Sequence, residues 1–349
     1  MSLARDTDAD LEALSMAAAG LAGAEVARLT PVRGGGNNRL YRVEGRDGAA
    51  YALKAYMVDR HDCRDRLGAE FQGLRFVWSR GMRAVPRVVA ADPVRSCTLF
   101  DWVEGAAVGG VGVADIDAAL LFLAELKRLA ADPAAGALPL ASEACLSGAD
   151  VVAQIEARVA RLKQVAERNE ALAAFLGGAF AETYRRLTKA ALEGCRAAGT
   201  AFTRQISSSL MTLSPSDFGF HNALRRADGS LVFLDFEYFG WDDPVKLVAD
   251  FLLHPAMQLD EALKRRFLTG ASEIFAGDNR FPARLRLLYP LFGVRWVTIL
   301  LNEFLPERWQ RRAYAGATER AEAEERQLAK ATELVRRLAT SQGGFPHDA

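Results

Sequence analysis

The stretch from Leu213 to Pro244 constrains this chain more than any other part of it. It reads LSPSDFGFHNALRRADGSLVFLDFEYFGWDDP. Asp217 is followed five residues later by Asn222, and Asp235 comes after two short apolar segments joined by an Asp-Gly pair, which is typical of a tight hairpin turn. Such a hairpin would bring two acids and an amide together, and Mg²⁺ takes oxygen ligands of this kind beside phosphates. The stretch therefore predicts a phosphoryl-transfer site.

The three polar residues have different roles in this prediction. Asp217-Phe218-Gly219 spells the DFG string that carries the metal aspartate of protein kinases, but here it precedes the hairpin instead of following it. We therefore assign Asp217 to the acceptor hydroxyl, and Asn222 and Asp235 to magnesium. The alternative is that Asp217 and Asn222 cap turns and that Asp235 ends a strand, because the spacing alone is common.

The first hundred residues predict an antiparallel sheet with a glycine loop. Residues 8–22 predict a lead helix, and strands are expected from Glu25, from Arg39 and over Ala49–Tyr56. The loop between the first two strands contains Gly34, Gly35, Gly36, Asn37 and Asn38. Its position between strands excludes a dinucleotide-binding turn of the usual kind, and the lack of any Gly-Lys pair excludes a Walker A loop. Backbone amides in such a loop can cover phosphates, although a plain hairpin loop is the alternative.

Lys54 and Glu70 form a candidate ion pair behind this loop. Lys54 lies in the third strand, between apolar neighbours, and is either a solvent-facing residue or an ammonium directed at phosphates. A helix is predicted over residues 62–80, and Glu70 lies near its apolar face, whereas Arg64 and Arg66 near its start are expected to be solvated. A Lys54–Glu70 pair would orient the ammonium toward the α- and β-phosphates of a nucleotide.

Composition excludes several classes of protein. Basic and acidic residues number 44 each, so no overall charge would attract nucleic acid or an anionic membrane. The four cysteines lie far apart, which argues against a disulfide framework or a thiolate metal site. No signal peptide or membrane-spanning run is visible, so we expect a cytoplasmic protein with no nucleic-acid or membrane partner.

The pattern as a whole predicts an α+β chain with two lobes. Residues 1–100, including the lead helix 8–22, are predicted to form an N-terminal nucleotide-binding lobe, and residues 101–106 a hinge. Residues 107–349 are predicted to form a larger, mainly helical lobe with the catalytic loop and the acceptor site. Its predicted helices cover residues 114–131, 150–167, 171–198 with a break at Gly177-Gly178, and 313–338. The aromatic residues Phe292, Trp296 and Phe304 are expected in the core.

The chain resembles the aminoglycoside phosphotransferase and choline kinase superfamily, the small-molecule branch of the protein-kinase-like fold. The matching residues and segments are Gly34–Asn38, Lys54, Glu70, Leu99–Gly105, Ser216–Leu224 and Leu234–Pro244. The resemblance implies a small antiparallel N-lobe with one main helix, a helical C-lobe, and ATP with Mg²⁺ as cofactors. It also implies that adenine meets the backbone near Asp101 and Val103, that Asp217 is catalytic, and that Asn222 and Asp235 hold magnesium.

Two positions depart from the pattern of that superfamily. Pro215-Ser216 stands where a histidine and a glycine usually precede the catalytic aspartate, and Leu247 stands where a later acid usually supports the loop. We predict that Asp250 provides the replacement support. His221 is interpreted as a packing residue or a neighbour of the substrate. His254 is isolated in the sequence, and no zinc site is expected.

These observations predict an ATP- and Mg²⁺-dependent phosphotransferase acting on a hydroxyl of a small molecule. The alternative is a kinase-fold nucleotide-binding protein with little or no catalytic activity. The identity of the acceptor is not readable, and three sets of residues are singled out for comparison with the structure. They are the acids Asp260, Glu261 and Glu303, which a cationic acceptor would want; Glu237, Trp241 and Asp242, which could line the acceptor pocket or the surface; and Arg308, Arg311 and Arg312, which are interpreted as a solvated helix face.

Overall fold

A computed structural model describes residues 8–32, 38–58, 64–314, 319–339 and 343–346. The predicted glycine loop, Gly34 to Asn37, lies outside the described residues. Among those described, no helix combines the length with the apolar character needed to cross a bilayer.

The N-terminal part is a five-stranded antiparallel sheet covered by a helix on one side. The strands are β1 (Val26–Val32), β2 (Arg39–Gly45), β3 (Ala50–Ala55), β4 (Val88–Asp92) and β5 (Cys97–Asp101), in the spatial order β1-β2-β3-β5-β4. Tyr41, Val43 and Leu53 point into a small core on which helix α1 (Asp8–Ala22) packs. The predicted meander and lead helix are confirmed.

Helix α2 (Arg66–Ser79) lies between β3 and β4 in the sequence and packs between the sheet and the helical part. It begins four residues later than predicted because the Asp65 side chain accepts a hydrogen bond from Gly68 N at 2.8 Å and caps it. Leu74 and Val77 of α2 are fully buried and belong to the larger core of the protein. Arg66, expected to be solvated, is also buried.

The C-terminal part is mainly helical. Its helices are α3 (Val113–Leu129), α4 (Gly148–Ala166), α5 (Glu170–Phe175), α6 (Ala181–Ala197), α7 (Pro244–Leu253), α8 (Glu261–Ile274), α9 (Phe281–Leu300), α10 (Pro306–Tyr314) and α11 (Arg320–Leu338). Gly178 has φ −98° and ψ −113°, so the predicted break between α5 and α6 is confirmed. The predicted last helix, 313–338, is wrong at its start, because α10 ends at Tyr314 and α11 begins at Arg320.

Helix α9 forms the centre of the helical part and packs against α4, α6, α7 and α11. Phe292, Trp296 and Phe304 are buried, as predicted. Every residue of α7 is buried as well, because this helix lies between α9 and the catalytic stretch.

Five short strands surround the catalytic stretch. They are β6 (Ala106–Ala107), β7 (Thr212–Ser214), β8 (Ala223–Arg225), β9 (Leu231–Phe233) and β10 (Gly240–Asp242). β8 and β9 form the predicted hairpin, and β6 joins its outer edge. β7 and β10 pair antiparallel. Dividing the chain into lobes at residues 101–106 remains our proposal.

Candidate active site

Two pairs of strands bring the predicted site residues of Leu213–Pro244 together. Pairing of β7 with β10 fixes both ends of the stretch, with Trp241 opposite Leu213. The β8–β9 hairpin returns the chain to the loop, where Leu234 N donates to the Asn222 carbonyl at 2.7 Å. Asp217 and Asp235 therefore lie on either side of Asn222, as the hairpin predicted.

A cluster of aromatic rings from α3, α7 and the catalytic stretch packs beneath the loop that carries Asp217 and Asn222, on its core side. The Phe122 ring of α3 lies 5.1 Å from Phe218 and 4.5 Å from Phe233, measured between ring centroids. Phe218 also stacks on Phe251 of α7 at 5.2 Å. Side chains on both sides of Asp217 and Asn222 are therefore anchored in the core, which fixes the backbone that carries the polar groups.

Ser216 and Asp235 adopt left-handed backbone conformations, with φ of +67° and +64°. Residues other than glycine rarely do so, and each costs about 1–2 kcal/mol. Ser216 N donates to the Ser214 hydroxyl at 3.0 Å, which helps to hold the first of these turns. The two strained residues are the one before Asp217 and Asp235 itself, so the fold holds both acids in imposed orientations.

Lys54 bridges the sheet, helix α2 and the catalytic stretch. Its Nζ lies 2.7 Å from Glu70 Oε2 and 2.6 Å from Asp235 Oδ1. Glu70 also accepts hydrogen bonds from the Tyr56 hydroxyl at 2.6 Å and from Phe236 N at 3.1 Å. The predicted Lys54–Glu70 pair is thus present and buried, and Glu70 connects β3 to the residue after Asp235.

Negative charge exceeds positive charge around the Lys54 ammonium. Burial alone would lower the pKa of Lys54, but Asp235 and Glu70 outweigh it and raise that pKa well above its ordinary value. Burial raises the pKa of Asp235 to about 7. Lys54 opposes this shift by attraction, whereas repulsion from Glu237 and Glu70 raises the pKa further. A further cation beside Asp235 would relieve this crowding.

Glu237 belongs to the same cluster. It is buried, it accepts a hydrogen bond from Asn38 Nδ2 at 2.6 Å, and its carboxylate lies 3.7 Å from Lys54 Nζ and 3.6 Å from Arg66 Nη1. The surface interpretation given to Glu237 is therefore wrong, and the residue belongs to the cluster around Lys54. No local pattern of the sequence identifies this role, because Asn38 and Lys54 reach Glu237 from distant segments of the chain.

The Asp217 carboxylate faces two stacked histidines. Its Oδ1 lies 3.1 Å from His221 Nε2 and 3.8 Å from His254 Nε2, and the imidazole centroids are 3.7 Å apart with planes 4° from parallel. Burial would raise the pKa of Asp217, but the hydrogen bond and charge of His221 lower that pKa to about 2. Burial and His221 lower the pKa of His254 to about 4. Asp217 is therefore anionic and His254 neutral at pH 7.

His254, isolated in the sequence, is thus part of the site in space. Asp217, His221 and His254 are close enough to suggest a metal site. However, the two imidazole planes are nearly parallel and 3.7 Å apart, so their in-plane lone pairs do not converge on one ion. The stacked rings instead form a wall that orients the Asp217 carboxylate.

Lys246 is the support for the loop that sequence analysis missed. Its buried Nζ donates to Ser216 Oγ at 3.0 Å and lies 3.1 Å from both Asp242 Oδ2 and Asp250 Oδ2. The predicted support, Asp250, therefore reaches the loop through Lys246. Asp242, Lys246 and Asp250 follow one another at intervals of four residues, from the end of β10 into α7, and this spacing could have indicated the triad. Lysine is seldom buried, which is why it was overlooked.

Asp101 and Val103, the predicted adenine contacts, lie where the sheet ends. Asp101 is the last residue of β5, opposite Tyr51 of β3. Trp102 N donates to Ala50 O at 3.1 Å, so this position remains attached to the sheet. Val103 lies in the connector that leads to β6.

A cavity of about 550 Å³ opens beside Asp217. Its walls come from residues 142–143, from the segment after α7, and from α9, α10 and α11. Arg308 and Arg312 line it, and both are partly exposed, which agrees with the solvated helix face expected for them. The side chain of Arg311 lies outside the described residues.

The three candidate acids for a cationic acceptor are used differently from one another. Asp260 caps α8, accepting from Leu263 N at 2.8 Å, and Glu261 pairs with Lys264 at 2.7 Å. Glu303 lines the cavity and accepts a hydrogen bond from Arg312 Nε at 2.8 Å. Asp242 is buried against Lys246, and the indole nitrogen of half-buried Trp241 donates to Ala135 O at 2.9 Å.

Comparisons with known proteins relate the chain to solved structures through its fold. No protein-family model and no curated protein sequence matches it. The gentamicin complex of APH(2")-IIa has a TM-score of 0.62 at 14% identity and covers 99% of this chain and 100% of its own. Spectinomycin phosphotransferase APH(9)-Ia, solved with ADP and spectinomycin, has a TM-score of 0.59 at 11% identity, with 92% and 95% covered.

Choline kinase LicA from Streptococcus pneumoniae has a TM-score of 0.58 at 13% identity, with 93% of this chain and 98% of its own covered. Likeness at such low identity speaks for the fold and leaves the substrate open. The agreement runs through both the sheet and the helical part, since nearly the whole of each chain is covered. The chain therefore shares the protein-kinase-like bilobal fold of the aminoglycoside phosphotransferases and choline kinases, as the sequence resemblance predicted.

Proposed function

We propose that this protein transfers the γ-phosphoryl group of ATP, with Mg²⁺, to a hydroxyl group of a small molecule. The observation that carries the proposal is the position of Lys54, held between Glu70 and Asp235 at 2.7 and 2.6 Å. A lysine fixed by a helix glutamate and facing a metal-binding aspartate is the arrangement that protein kinases use for phosphoryl transfer.

Each residue has a distinct role in the proposed reaction. Lys54 orients the α- and β-phosphates, and Glu70 holds its ammonium in place. The backbone of Gly34, Gly35, Gly36 and Asn37 covers the phosphates, and the backbone near Asp101 and Val103 receives the adenine. Asp217 accepts a hydrogen bond from the acceptor hydroxyl. Because its pKa is lowered to about 2, Asp217 is a weak base that orients the hydroxyl and takes its proton late.

The residues present fit a magnesium ion. Asn222 donates its amide nitrogen to the Asp217 carbonyl at 3.0 Å, which leaves the amide oxygen as the ligand atom. Asp235 supplies a carboxylate, and the buried Glu237 Oε1 accepts no hydrogen bond within the part of the chain that the structure describes. These hard oxygen donors in a surplus of negative charge suit Mg²⁺. When bound, the ion would neutralise charge on the transferred phosphoryl group.

The proposal is tested with Asp217→Asn, which keeps the shape of the side chain and removes its charge. We expect turnover, measured as ADP formation with a panel of small hydroxyl compounds, to fall by about 10²–10⁴-fold. The affinity for ATP with Mg²⁺, measured by calorimetry, should stay within about twofold. Asp228→Asn, in the exposed hairpin turn of the same stretch, is the control and should retain full turnover. Full activity of Asp217→Asn would overturn the assignment.

The alternative, a nucleotide-binding protein with little catalysis, is motivated by the missing histidine before Asp217 and by the degenerate glycine loop. Lys246, in contact with both Ser216 and Asp250, now offers a replacement support, and this favours the enzyme. Binding of ATP with Mg²⁺, without ADP formation for any acceptor in the panel, would favour the alternative.

A further inference from the structure

The cavity beside Asp217 carries an excess of positive charge. Among the described residues that line it, six side chains are cationic, namely Arg64, Arg158, Arg295, Arg308, Arg312 and Lys330. Four are acidic, namely Glu143, Asp217, Asp250 and Glu303. His254 adds no charge at neutral pH. An ordinary cationic acceptor would enter this space against the field of its walls.

The acids of the cavity are already bound by cations. Glu143 receives Arg64 Nη1 at 3.5 Å, Arg295 Nη2 at 3.0 Å and a hydrogen bond from Arg158, so three guanidinium groups converge on one carboxylate. Burial would raise the pKa of Glu143, but the charges of Arg158, Arg295 and Arg64 lower it to about 2. The negative charge of this carboxylate is therefore neutralised by arginines of the protein, so it would attract a ligand ammonium only weakly.

The other two acids away from the reaction centre are engaged in the same way. Asp250 lies 3.1 Å from Lys246 Nζ and accepts hydrogen bonds from Trp296 Nε1 at 2.8 Å and Arg295 Nη1 at 3.4 Å. Glu303 Oε1 accepts from Arg312, while its buried Oε2 has no hydrogen-bond partner among the described residues. A guanidinium has five N–H donors, so an arginine that already holds a carboxylate can still donate to a second anion. The walls are thus equipped to bind anions.

We propose that the acceptor of this cavity is anionic: a small hydroxyl compound that also carries a carboxylate or a phosphate group. This inference rests on the proposed phosphotransferase function. The hydroxyl group lies at Asp217, and the anionic group lies against the wall formed by α10 and α11, where Arg308, Arg312 and Lys330 are found. The fold does not fix the substrate, so the charge of the cavity is the better guide to the acceptor.

The first test measures binding by calorimetry to the full protein with ADP and Mg²⁺ present. Two matched sets of compounds keep the same carbon skeleton and differ mainly in charge: glycerate, glycerol and 3-aminopropane-1,2-diol, and glucuronate, glucose and glucosamine. Glucose 6-phosphate distinguishes a phosphate from a carboxylate. We expect an anionic member to bind at least about tenfold tighter than its neutral partner, and the amine to bind most weakly. Equal affinities across both sets, or tighter binding of an amine, would overturn the proposal.

The second test removes cavity charge one residue at a time. Lys330→Gln and Arg308→Gln should each weaken the best anionic ligand by about tenfold and leave its neutral partner unchanged. Arg326→Gln is the matched control on α11, because Arg326 is exposed, pairs with Glu322 and does not line the cavity. An equal loss of affinity in Arg326→Gln, or no loss in the two cavity variants, would contradict the assignment of the anion to this wall.

The outcomes separate this inference from the proposed function. Phosphorylation of an amine, but not of its anionic counterpart, would leave the phosphotransferase intact and overturn the anionic acceptor. Tight binding of anions without ADP formation would overturn the phosphotransferase, and the cavity would stand as an anion-binding site only.

Discussion

Lys246 is the residue on which the catalytic loop depends most directly. Its ammonium is fully buried and is balanced by Asp242 and Asp250, which raise its pKa against the opposing effect of burial. A buried charge of this kind is tolerated only while its partners remain in place. The triad therefore stabilises the fold and holds Ser216, the residue before Asp217, at the same time.

Lys246→Met should lower the free energy of unfolding by about 3–5 kcal/mol, because it leaves the buried Asp242 carboxylate without its cation and Asp250 with Arg295 alone as a cationic partner among the described residues. Urea unfolding followed by circular dichroism measures this loss. Adding Asp242→Asn to the same variant should restore part of it. Lys189→Met, at an exposed lysine of α6, is the control and should change stability by less than about 1 kcal/mol. A similar small effect at Lys246 would contradict the role of the triad.

His254 should make stability depend on pH between about 4 and 6.5. Its pKa is lower in the folded protein than in the unfolded chain, so the unfolded chain binds more protons in that window. The contribution of neutral His254 to stability is therefore complete above pH 6.5 and is lost toward pH 4, by about 3 kcal/mol for a shift of this size. His254→Phe should retain the stacking and flatten this dependence, as measured by urea unfolding at pH 5 and pH 7.

The same slope in His254→Phe as in the original protein would exclude this histidine as its source. The Asp217 carboxylate does not contribute in this window, since its pKa is lowered to about 2.

At this scale, sequence analysis found the residues whose neighbours along the chain identify them. Asp217, Asn222 and Asp235 lie in one stretch, and Lys54 and Glu70 are 16 residues apart. Two residues, Glu237 and His254, were missed or misread because their partners come from distant segments, whereas Lys246 was missed because lysine is seldom buried. Glu237 meets Asn38 across 199 residues of sequence, and no local pattern encodes that contact.

Among the elements, helix α2 must lie very close to the segment after Asp235. A Cβ atom added to Gly73 would stand 2.4 Å from Phe239 Cδ1, and the Phe239 ring is fully buried. Only glycine permits this approach, and the approach lets Glu70 of the same helix accept from Phe236 N. The packing of α2 and the position of the Lys54–Glu70 ion pair thus both depend on glycine at position 73.

Gly73→Ala should destabilise the protein by about 1–3 kcal/mol through overpacking, and it should weaken binding of ATP with Mg²⁺ because α2 moves away with Glu70. Urea unfolding and calorimetry report the two effects. Gly20→Ala, at an exposed position of α1 where an added Cβ would meet nothing within 4 Å, is the control and should be neutral or slightly stabilising. If both variants behaved alike, the close contact would not constrain α2.

Elements were predicted well where periodicity was strong and poorly at their ends. The meander, the hairpin and the break near Gly178 follow from residue types with local conformational preferences. Starts were misplaced where a single side chain decides them, as with the Asp65 cap of α2. The order of strands in the sheet and the packing around α9 depend on long-range burial, which the local pattern does not specify.

For the whole molecule, the Lys54–Asp235 and Asn38–Glu237 contacts join the sheet to the helical part across the proposed nucleotide site. ATP with Mg²⁺ bound between these parts should therefore stabilise the folded protein as a unit. At a hundredfold excess over Kd we expect about 3 kcal/mol of stabilisation, which raises Tm by several degrees. Differential scanning calorimetry with and without EDTA separates the share due to magnesium.

Asp235→Asn should abolish the magnesium-dependent part of that rise, whereas Asp228→Asn should retain it. A rise in Tm that EDTA leaves unchanged would contradict metal binding at Asp235.

The connector between the sheet and the helical part is anchored on both sides. Trp102 is tied to Ala50, while Ala106 and Ala107 pair with Arg225 and Leu224, directly after the catalytic loop. A Cβ atom on Gly105 would stand 2.9 Å from the Arg225 carbonyl, so glycine is needed for the chain to pass. Any rotation of one part against the other thus has its pivot within three residues, Val103 to Gly105. An adenine ring bound at these three residues would therefore restrict the rotation of the sheet relative to the helical part.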